Sequence, residues 1–244
     1  MSQKKMSKSL ASLVDSIRNL KADNWQDVDL KLEAIGNKFK RKDFKALFTN
    51  EEVFNMAFHY DESSHSGRWN RQAWMAERGV EYLLPLCSDV ADEIIRESEI
   101  DSVKTIAIRN GIYKDISIID EVAKSGSGDS QLIAASFCSI EALRELKDHK
   151  SSKIRKIYYN RLGPVECLDE MLCDKIADIR HEGVARAPYF YEKLKEMTKE
   201  IARGPFTLLV EKISLDYLPM LVANRNVKNS WISRKFDKRI SSGR

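Results

Sequence analysis

Basic residues recur at regular intervals in the second half of the chain, and they are the residue type best suited to hold an anionic ligand. An aliphatic residue followed by a basic one appears as Val103-Lys104, Ile154-Arg155, Ile179-Arg180 and Val227-Lys228. Seven residues after each aliphatic residue comes Asn110, Arg161, Arg186 or Arg234. The candidate binding residues, called the basic ladder below, are Lys104, Arg155, Arg161, Arg180, Arg186, Lys228 and Arg234. A guanidinium donates two parallel hydrogen bonds to a phosphate or a carboxylate, so this ladder could hold a nucleic acid or an acidic protein face.

The basic ladder also has a purely structural interpretation. Asp101, Asp174 and Asp178 lie close to it in sequence and could pair with it across turns. Ladder residues that are paired within the chain would support the fold rather than bind a ligand. We favour this interpretation, and the binding interpretation stays open beside it.

Residues 59–65 are the one segment with a cluster of metal-ligand types, His59, Asp61, Glu62 and His65. The spacing of its two histidines matches no established site, and polar residues are expected in a loop in any case. The sequence therefore predicts no metal site and no cofactor.

Standard catalytic motifs are missing from the chain. It contains no GxxxxGK[ST] or GxGxxG phosphate loop, no GxSxG, no HExxH and no CxxC. This favours a non-enzymatic protein, although enzymes whose catalytic residues are scattered in sequence remain an open alternative.

Apolar pairs spaced i, i+3 indicate what positions the ladder. They are Ile119/Val122, Leu143/Leu146, Leu168/Met171, Leu194/Met197 and Leu218/Leu221, and they recur with a nearly constant period. A unit of about 24 residues holds two short helices and cannot bury its apolar side alone, so neighbouring units must stack. The ladder pattern has a gap between Val103 and Ile154. Leu132, followed five residues later by Phe137, is predicted to supply the apolar residues of the unit in this gap.

The pattern resembles the HEAT-like and leucine-rich-repeat-variant families of helical repeats over residues ~100–235, most clearly in Ala177-Asp-Ile-Arg-His-Glu-Gly-Val-Ala-Arg-Ala-Pro188. The resemblance implies an all-α fold, an α-solenoid of two-helix repeats. The variant family is associated with a cysteine-ligated iron–sulfur segment, but its cysteine cluster is missing here. The alternative is an irregular helical bundle without a true repeat.

A second, fainter resemblance lies near the N-terminus. Trp25-Gln-Asp-Val-Asp29 is similar to a Trp-x-x-Val-Asp segment of HEAT-like alkylpurine DNA glycosylases, which use a catalytic Asp on a basic concave face. That segment would not be expected so early in the chain, and the rest of the family's pattern does not follow.

The first part of the chain reads as irregular helices. Ser7 or Ser9 could cap a helix near residues 7–21, Thr49 to Glu52 form a capping box, and Gly79 could end an aromatic helix. The predicted domains are a helical N-terminal region, 1–98, and helical repeats with a basic tail, 99–244.

Composition and charge distribution limit the classes of protein to which the chain can belong. Hydrophobic residues make up 43% and charged residues 32%, and neither a secretory signal nor a membrane-spanning stretch is recognisable. Four cysteines in apolar patterns indicate reduced core residues and a cytoplasmic location. Residues 1–50 hold 11 Lys/Arg against 6 Asp/Glu, and residues 221–244 hold 7 against 1, so basic ends flank an acidic middle. We expect an interaction protein, an adaptor, assembly factor or inhibitor, that binds a protein partner; the alternative is nucleic-acid binding through the ladder and the basic ends.

Overall fold

The computed structural model describes residues 6–20, 25–58, 71–200, 202–223, 234 and 237–241. Within these ranges the chain is helical and contains no β-strand, as the sequence predicts. The chain forms two compact units, Met1–Glu145 and Leu146–Arg244. The predicted domain boundary between residues 98 and 99 was placed where the sequence repeat begins. It falls inside the first unit and remains a prediction.

The described ranges contain a succession of short helices. In chain order they are α1 (Lys8–Arg18), α2 (Trp25–Gly36), α3 (Arg41–Thr49), α4 (Glu51–Phe58), α5 (Arg71–Leu83), α6 (Ala91–Glu97), α7 (Asp101–Arg109), α8 (Ile116–Ser125), α9 (Gly128–Phe137), α10 (Ile140–Glu145), α11 (Ser152–Leu162), α12 (Pro164–Cys173), α13 (Ala177–Arg186), α14 (Arg203–Lys212) and α15 (Leu218–Ala223). Within the described ranges, 3₁₀ helices span Pro85–Cys87, Glu192–Met197 and Leu215–Tyr217. None of the described helices is both long enough and apolar enough to cross a bilayer.

Side chains at the starts of α1 and α4 show how local sequence sets these helices. The Ser7 hydroxyl accepts a hydrogen bond from the Leu10 N–H at 3.1 Å, as predicted for an N-cap. The capping-box prediction at Thr49 is wrong by one residue, because Thr49 still belongs to α3 and Asn50 Oδ1 accepts from the Val53 N–H at 3.0 Å.

Aromatic side chains fill the core of the first unit between α3, α4 and α5. The ring of Phe54 lies 6.5 Å from that of Phe48 and 4.8 Å from that of Phe58, measured between centroids. The prediction that Gly79 ends a helix is wrong, because α5 continues through it. A Cβ at Gly79 would lie 2.2 Å from Phe58 Cε1, so the glycine is needed for the close approach of α5 to the Phe58 ring.

From α7 onward, two kinds of helix alternate. We call α7, α9, α11, α13 and α14 the A helices, which begin at Asp101, Gly128, Ser152, Ala177 and Arg203, at nearly equal intervals along the chain. The B helices between and after them are α8, α10, α12, Glu192–Met197 and α15 with its preceding 3₁₀ turn. In the first unit α9 packs against α7 and α8; in the second, α13 packs against α12 and α14.

All ten residues of the predicted apolar pairs are buried, none more than 8% exposed. In the second unit Leu168, Leu194 and Leu218 belong to one core cluster, together with Phe206 and Leu209. The core of this unit therefore runs from one helix pair to the next.

The prediction that Leu132 and Phe137 are the inward-facing residues of α9 is wrong by two residues. Phe137 is 43% exposed, whereas Ser130 and Ala135 are buried. Ser130 is the third residue of its A helix, like Val103 in α7 and Ile154 in α11. Small residues fill this position in α9, so the apolar pattern is too weak there to reveal the register.

Candidate interaction surface

Arg155, the fourth residue of α11, lies inside the second unit and not on its surface. Its side chain is 3% exposed, and that of Asp174 is 2% exposed. The guanidinium forms a two-pronged pair with the carboxylate, with Nε to Oδ2 at 2.7 Å and Nη2 to Oδ1 at 2.8 Å. Its Nη1 donates to the carbonyl of His149 at 2.6 Å. Every side of the guanidinium is used inside the protein, so Arg155 leaves the predicted set of binding residues.

The Asp174 carboxylate is ionised by its surroundings. Burial opposes ionisation, but hydrogen bonds from Arg155, the Ile176 N–H and the Tyr159 hydroxyl outweigh it, and the pKa of Asp174 is lowered. A buried guanidinium and an ionised carboxylate in this geometry stabilise each other, and removing either one would leave an unpaired buried charge.

Arg180 occupies the equivalent fourth position in α13 and repeats the arrangement. It pairs with Glu200, with Nε to Oε2 at 2.5 Å and Nη2 to Oε1 at 3.0 Å. Its Nη1 donates to the carbonyl of Asp174 at 2.7 Å. We call the Arg155–Asp174 and Arg180–Glu200 pairs the clasps, since each joins an A helix to the turn before the next A helix.

The acidic member of each clasp also caps that turn. Asp174 Oδ1 accepts from the Ile176 N–H at 2.8 Å, and Glu200 Oε1 accepts from the Ala202 N–H at 2.7 Å. One turn earlier, His149 Nδ1 accepts from the Ser151 N–H at 3.0 Å. Positions 149, 174 and 200 follow one another with the period of the helix pairs. In each turn that leads from a B helix to the next A helix, the side chain at this position accepts a hydrogen bond from the N–H two residues later.

The remaining ladder residues are in several environments. Arg186 pairs with Glu182 and donates to Asn160 Oδ1 at 3.1 Å. Arg161 and Lys104 are partly exposed, and Arg234 is exposed. Lys228 lies outside the described residues. Arg155 and Arg180 are thus each paired with a carboxylate inside the second unit. The described ladder residues do not form one row of exposed cations.

Two cavities flank the clasps, of about 470 and 540 Å3. Acidic and basic side chains line both in similar number. The lining of the first includes Lys175, Arg180 and Lys193 against Asp169, Asp174, Glu196 and Glu200. A phosphate chain needs a surplus of positive charge, which this balance does not provide.

Cysteine placement corrects one detail of the sequence prediction. Cys87, Cys138 and Cys167 are buried, as expected of core thiols, but Cys173 at the end of α12 is exposed. Its neighbours in the cavities are mainly charged side chains. No three His, Cys, Asp or Glu side chains form a metal-binding group within the described ranges, and the segment from His59 to His65 lies outside them.

Asp29, the acidic residue of the glycosylase-like segment, is tied to α5. Its Oδ2 accepts from Arg78 Nη2 and from the Tyr82 hydroxyl, both at 2.7 Å. Arg78 also pairs with Glu81 at 2.9 Å. Asp29 is therefore part of an ion-pair network that holds α2 against α5, and the structure describes no side chain for Trp25.

The turn between α13 and Glu192–Met197 carries a pair of exposed aromatic side chains. Tyr189 is 64% exposed and Phe190 is 56% exposed, with ring centroids 6.4 Å apart. Phe190 has a φ of 60°, the only positive φ at a non-glycine residue in the described part of the chain. The left-handed conformation costs roughly 1–2 kcal/mol for a residue with a Cβ, so the surrounding turn must enforce it.

Hydrogen bonds hold this turn in place. The Phe190 N–H donates to the carbonyl of Lys212 at 2.8 Å, and Lys212 Nζ donates to the carbonyls of Ala185 and Ala187, both at 2.6 Å. Arg239 donates to two carbonyls at the end of α14 and lies 5.9 Å from the Phe190 ring centroid. Rigid, exposed aromatic residues of this kind are typical of protein–protein contacts.

Sequence reasoning missed this pair because it looked for charged and catalytic residues. A usable signal was present in Pro188-Tyr-Phe-Tyr191, a run of aromatic residues directly after a helix end. When the chain is compared with known proteins, no family model, no curated protein and no solved structure matches it.

Proposed function

We propose that the chain is a non-enzymatic interaction protein, an α-solenoid of HEAT-like two-helix repeats that binds a protein partner. The regular start of the A helices supports the repeat, as do the packing of α9 on α7 and α8 in the first unit and that of α13 on α12 and α14 in the second. The clasps support it further, because the same Arg-to-carboxylate device recurs at equivalent positions.

The exposed Tyr189–Phe190 pair is the observation that carries the interaction function. The protein holds two large aromatic side chains in solvent, one of them on a backbone conformation that costs free energy. The hydrogen bond from the Phe190 N–H to the Lys212 carbonyl fixes the backbone of this turn, but it does not require large aromatic side chains at these exposed positions. Aromatic side chains are enriched among the residues that dominate protein interfaces, and a partner that covers them recovers the cost.

The clasps and the balanced cavities favour a protein partner over a nucleic acid. A phosphate would have to displace Asp174 or Glu200 from a guanidinium that each already holds with two bonds. The buried thiols Cys87, Cys138 and Cys167 fit a reducing compartment, and we include a cytoplasmic location in the proposal.

A binding comparison tests the function. Proteins that co-purify with the tagged chain are identified, produced separately, and titrated against the wild type and against Tyr189→Ser/Phe190→Asn, in which Asn tolerates the left-handed conformation. We expect a defined protein to bind the wild type and to lose at least tenfold in affinity with the double variant. The absence of any protein that binds the purified chain, or a tight salt-dependent complex with DNA or RNA instead, would overturn the proposal.

A further inference from the structure

The C-terminal end of α14 holds the side chain of an arginine. Backbone carbonyls at the end of a helix have no intrahelical donor and need other partners. Here the Phe190 N–H donates to the Lys212 carbonyl at 2.8 Å. Arg239 Nη1 donates to the Val210 carbonyl, and Arg239 Nη2 donates to the Ile213 carbonyl. One guanidinium therefore spans two carbonyls of this helix end.

The ring of Phe190 lies beside the same guanidinium. Arg239 Cζ is 5.9 Å from the ring centroid, and an aromatic face attracts a cation at this distance. The negative end of the α14 dipole and the charge of Glu211 also attract a cation here. We call the carbonyls of Val210 and Ile213, together with the Phe190 ring, the arginine site.

The geometry of the arginine site selects a guanidinium over an ammonium. Two different terminal nitrogens of Arg239 hold the two carbonyls, because a guanidinium presents its N–H groups in a fixed planar fork. A lysine has one terminal nitrogen and no planar group to lay against the Phe190 ring. We therefore expect the site to discriminate arginine from lysine.

The segment that carries this arginine is anchored through one side chain. Among residues 237–241, Arg239 alone is buried, at 8% exposed, whereas the adjacent Ile240 is 54% exposed. The Ser241 hydroxyl donates to the Lys238 carbonyl at 3.0 Å, which is a hydrogen bond within the segment itself. A segment with so little buried surface can detach without unfolding the helices beneath it.

Arg239 is also held less firmly than the arginines of the clasps. Arg155 and Arg180 each face a carboxylate with two bonds, and their pKa values are raised. The pKa of Arg239 is lowered, because its desolvation outweighs the attraction of Glu211 and Tyr189. A buried cation that is incompletely compensated regains hydration when it leaves, so Arg239 can be exchanged for another ligand.

We propose that the arginine site binds an exposed arginine of the protein partner, and that Arg239 occupies the site as an intramolecular competitor until the partner displaces it. This inference rests on the proposed function, because it names the chemistry of the partner segment that covers Phe190. The partner's arginine lies across the Val210 and Ile213 carbonyls in the bound state.

NMR of the full chain tests the exchange, with 15N incorporated into its nine phenylalanines. The Phe190 amide signal, identified by its loss in Phe190→Tyr, reports on the site. We expect this signal to move in Arg239→Ala and to return towards its wild-type position when a synthetic peptide of residues 234–244 is added. The same peptide with Arg239→Lys should require at least a tenfold higher concentration. Wild-type protein should also require at least tenfold more peptide, because its own Arg239 competes.

Lys238→Ala is the matched control, since Lys238 is the exposed cation next to Arg239. It should leave the Phe190 signal in place. Circular dichroism and thermal melts show whether each variant folds. If Arg239→Ala does not fold, Arg239→Lys in the full chain replaces it, because it keeps the charge and weakens the hold on the two carbonyls. The arginine peptide should bind this variant more tightly than it binds the wild type.

A Phe190 signal that does not respond to the arginine peptide, or that responds equally to the lysine peptide, would overturn the proposal. The co-purified protein partner should bind Arg239→Ala at least tenfold more tightly than the wild type, and the arginine peptide should displace it. Equal binding to both chains would overturn the competition and leave the proposed function standing. If the peptide enters the site but no protein binds the purified chain, the proposed function is overturned and the arginine site is confirmed.

Discussion

Arg155 and Asp174 form a two-pronged ion pair in the interior of the second unit, on either side of the complete helix α12. The pair joins the start of one A helix to the turn that precedes the next. Arg155, which the sequence suggested as a ligand-binding cation, is thus a buried residue that stabilises the fold. This relationship and the similar Arg180–Glu200 pair set the behaviour expected of several variants.

Loss of Arg155 should destabilise the protein strongly. In Arg155→Met the Asp174 carboxylate stays buried without its partner, and we expect a loss of about 3 kcal/mol or more in the free energy of unfolding. Arg186→Met is the matched control, because its pair with Glu182 is partly exposed, and we expect less than about 1 kcal/mol. Urea unfolding measures both. Equal, small effects would show that the Arg155 clasp does not support the fold.

Stability should fall in mild acid because of His149. Burial, and then the neighbouring charge of Lys150, lower its pKa from 6.5, and its Nδ1 must be unprotonated to accept from the Ser151 N–H. A histidine whose folded pKa is lowered stabilises the fold above pH 6.5, and this contribution is lost as the pH falls through the folded pKa.

We therefore expect the melting temperature of the wild type to fall between about pH 7 and 5, whereas His149→Asn, which keeps an acceptor but does not titrate, loses this part of the slope. Thermal melts at a series of pH values provide the measurement. An unchanged slope in the variant would assign the acid sensitivity to other groups.

Phe190→Gly should be more stable than Phe190→Ala. Both remove the aromatic ring, but only glycine relieves the left-handed conformation, and we expect a difference of about 1 kcal/mol in favour of glycine. At an ordinary helical position the order would be reversed. Chemical unfolding compares the two variants, and the opposite order would show that the turn relaxes when the ring is removed.

Gly79→Ala should destabilise the first unit, although alanine is the better helix former. The new Cβ would lie 2.2 Å from Phe58 Cε1, and overpacking of this kind costs about 1–3 kcal/mol. Phe58→Leu makes room, so Gly79→Ala should cost less in that background than in the wild type. A double-mutant cycle by urea unfolding measures the coupling, and additive effects would contradict the close packing.

Much of the helical organisation could be predicted from the chain alone. The pairs from Ile119/Val122 to Leu218/Leu221 are buried as expected, because an apolar stripe at helical spacing has to be covered in any compact fold. The prediction failed where the apolar signal is weak, as in α9, where Ser130 and Ala135 face the core. It also failed at Gly79, because sequence does not distinguish a glycine that ends a helix from one that admits a neighbouring ring.

The candidate site was less predictable. Asp174 was recognised as a partner available to the ladder because it lies only six residues before Arg180. Glu200, the partner of Arg180, was not recognised, because it lies 20 residues away, beyond the next helix. The exposure of the Tyr189 and Phe190 side chains depends on the backbone conformation of one turn, which cannot be predicted from the periodic pattern of apolar residues.

By itself, the sequence determined that this chain is helical and that its apolar residues repeat every two helices, because helix formation and burial depend on spacing along the chain. Only the tertiary structure decided which cations are used up inside the fold and which apolar residues are left in solvent. Both depend on which turns lie next to each other, and that is a property of packing and not of local sequence.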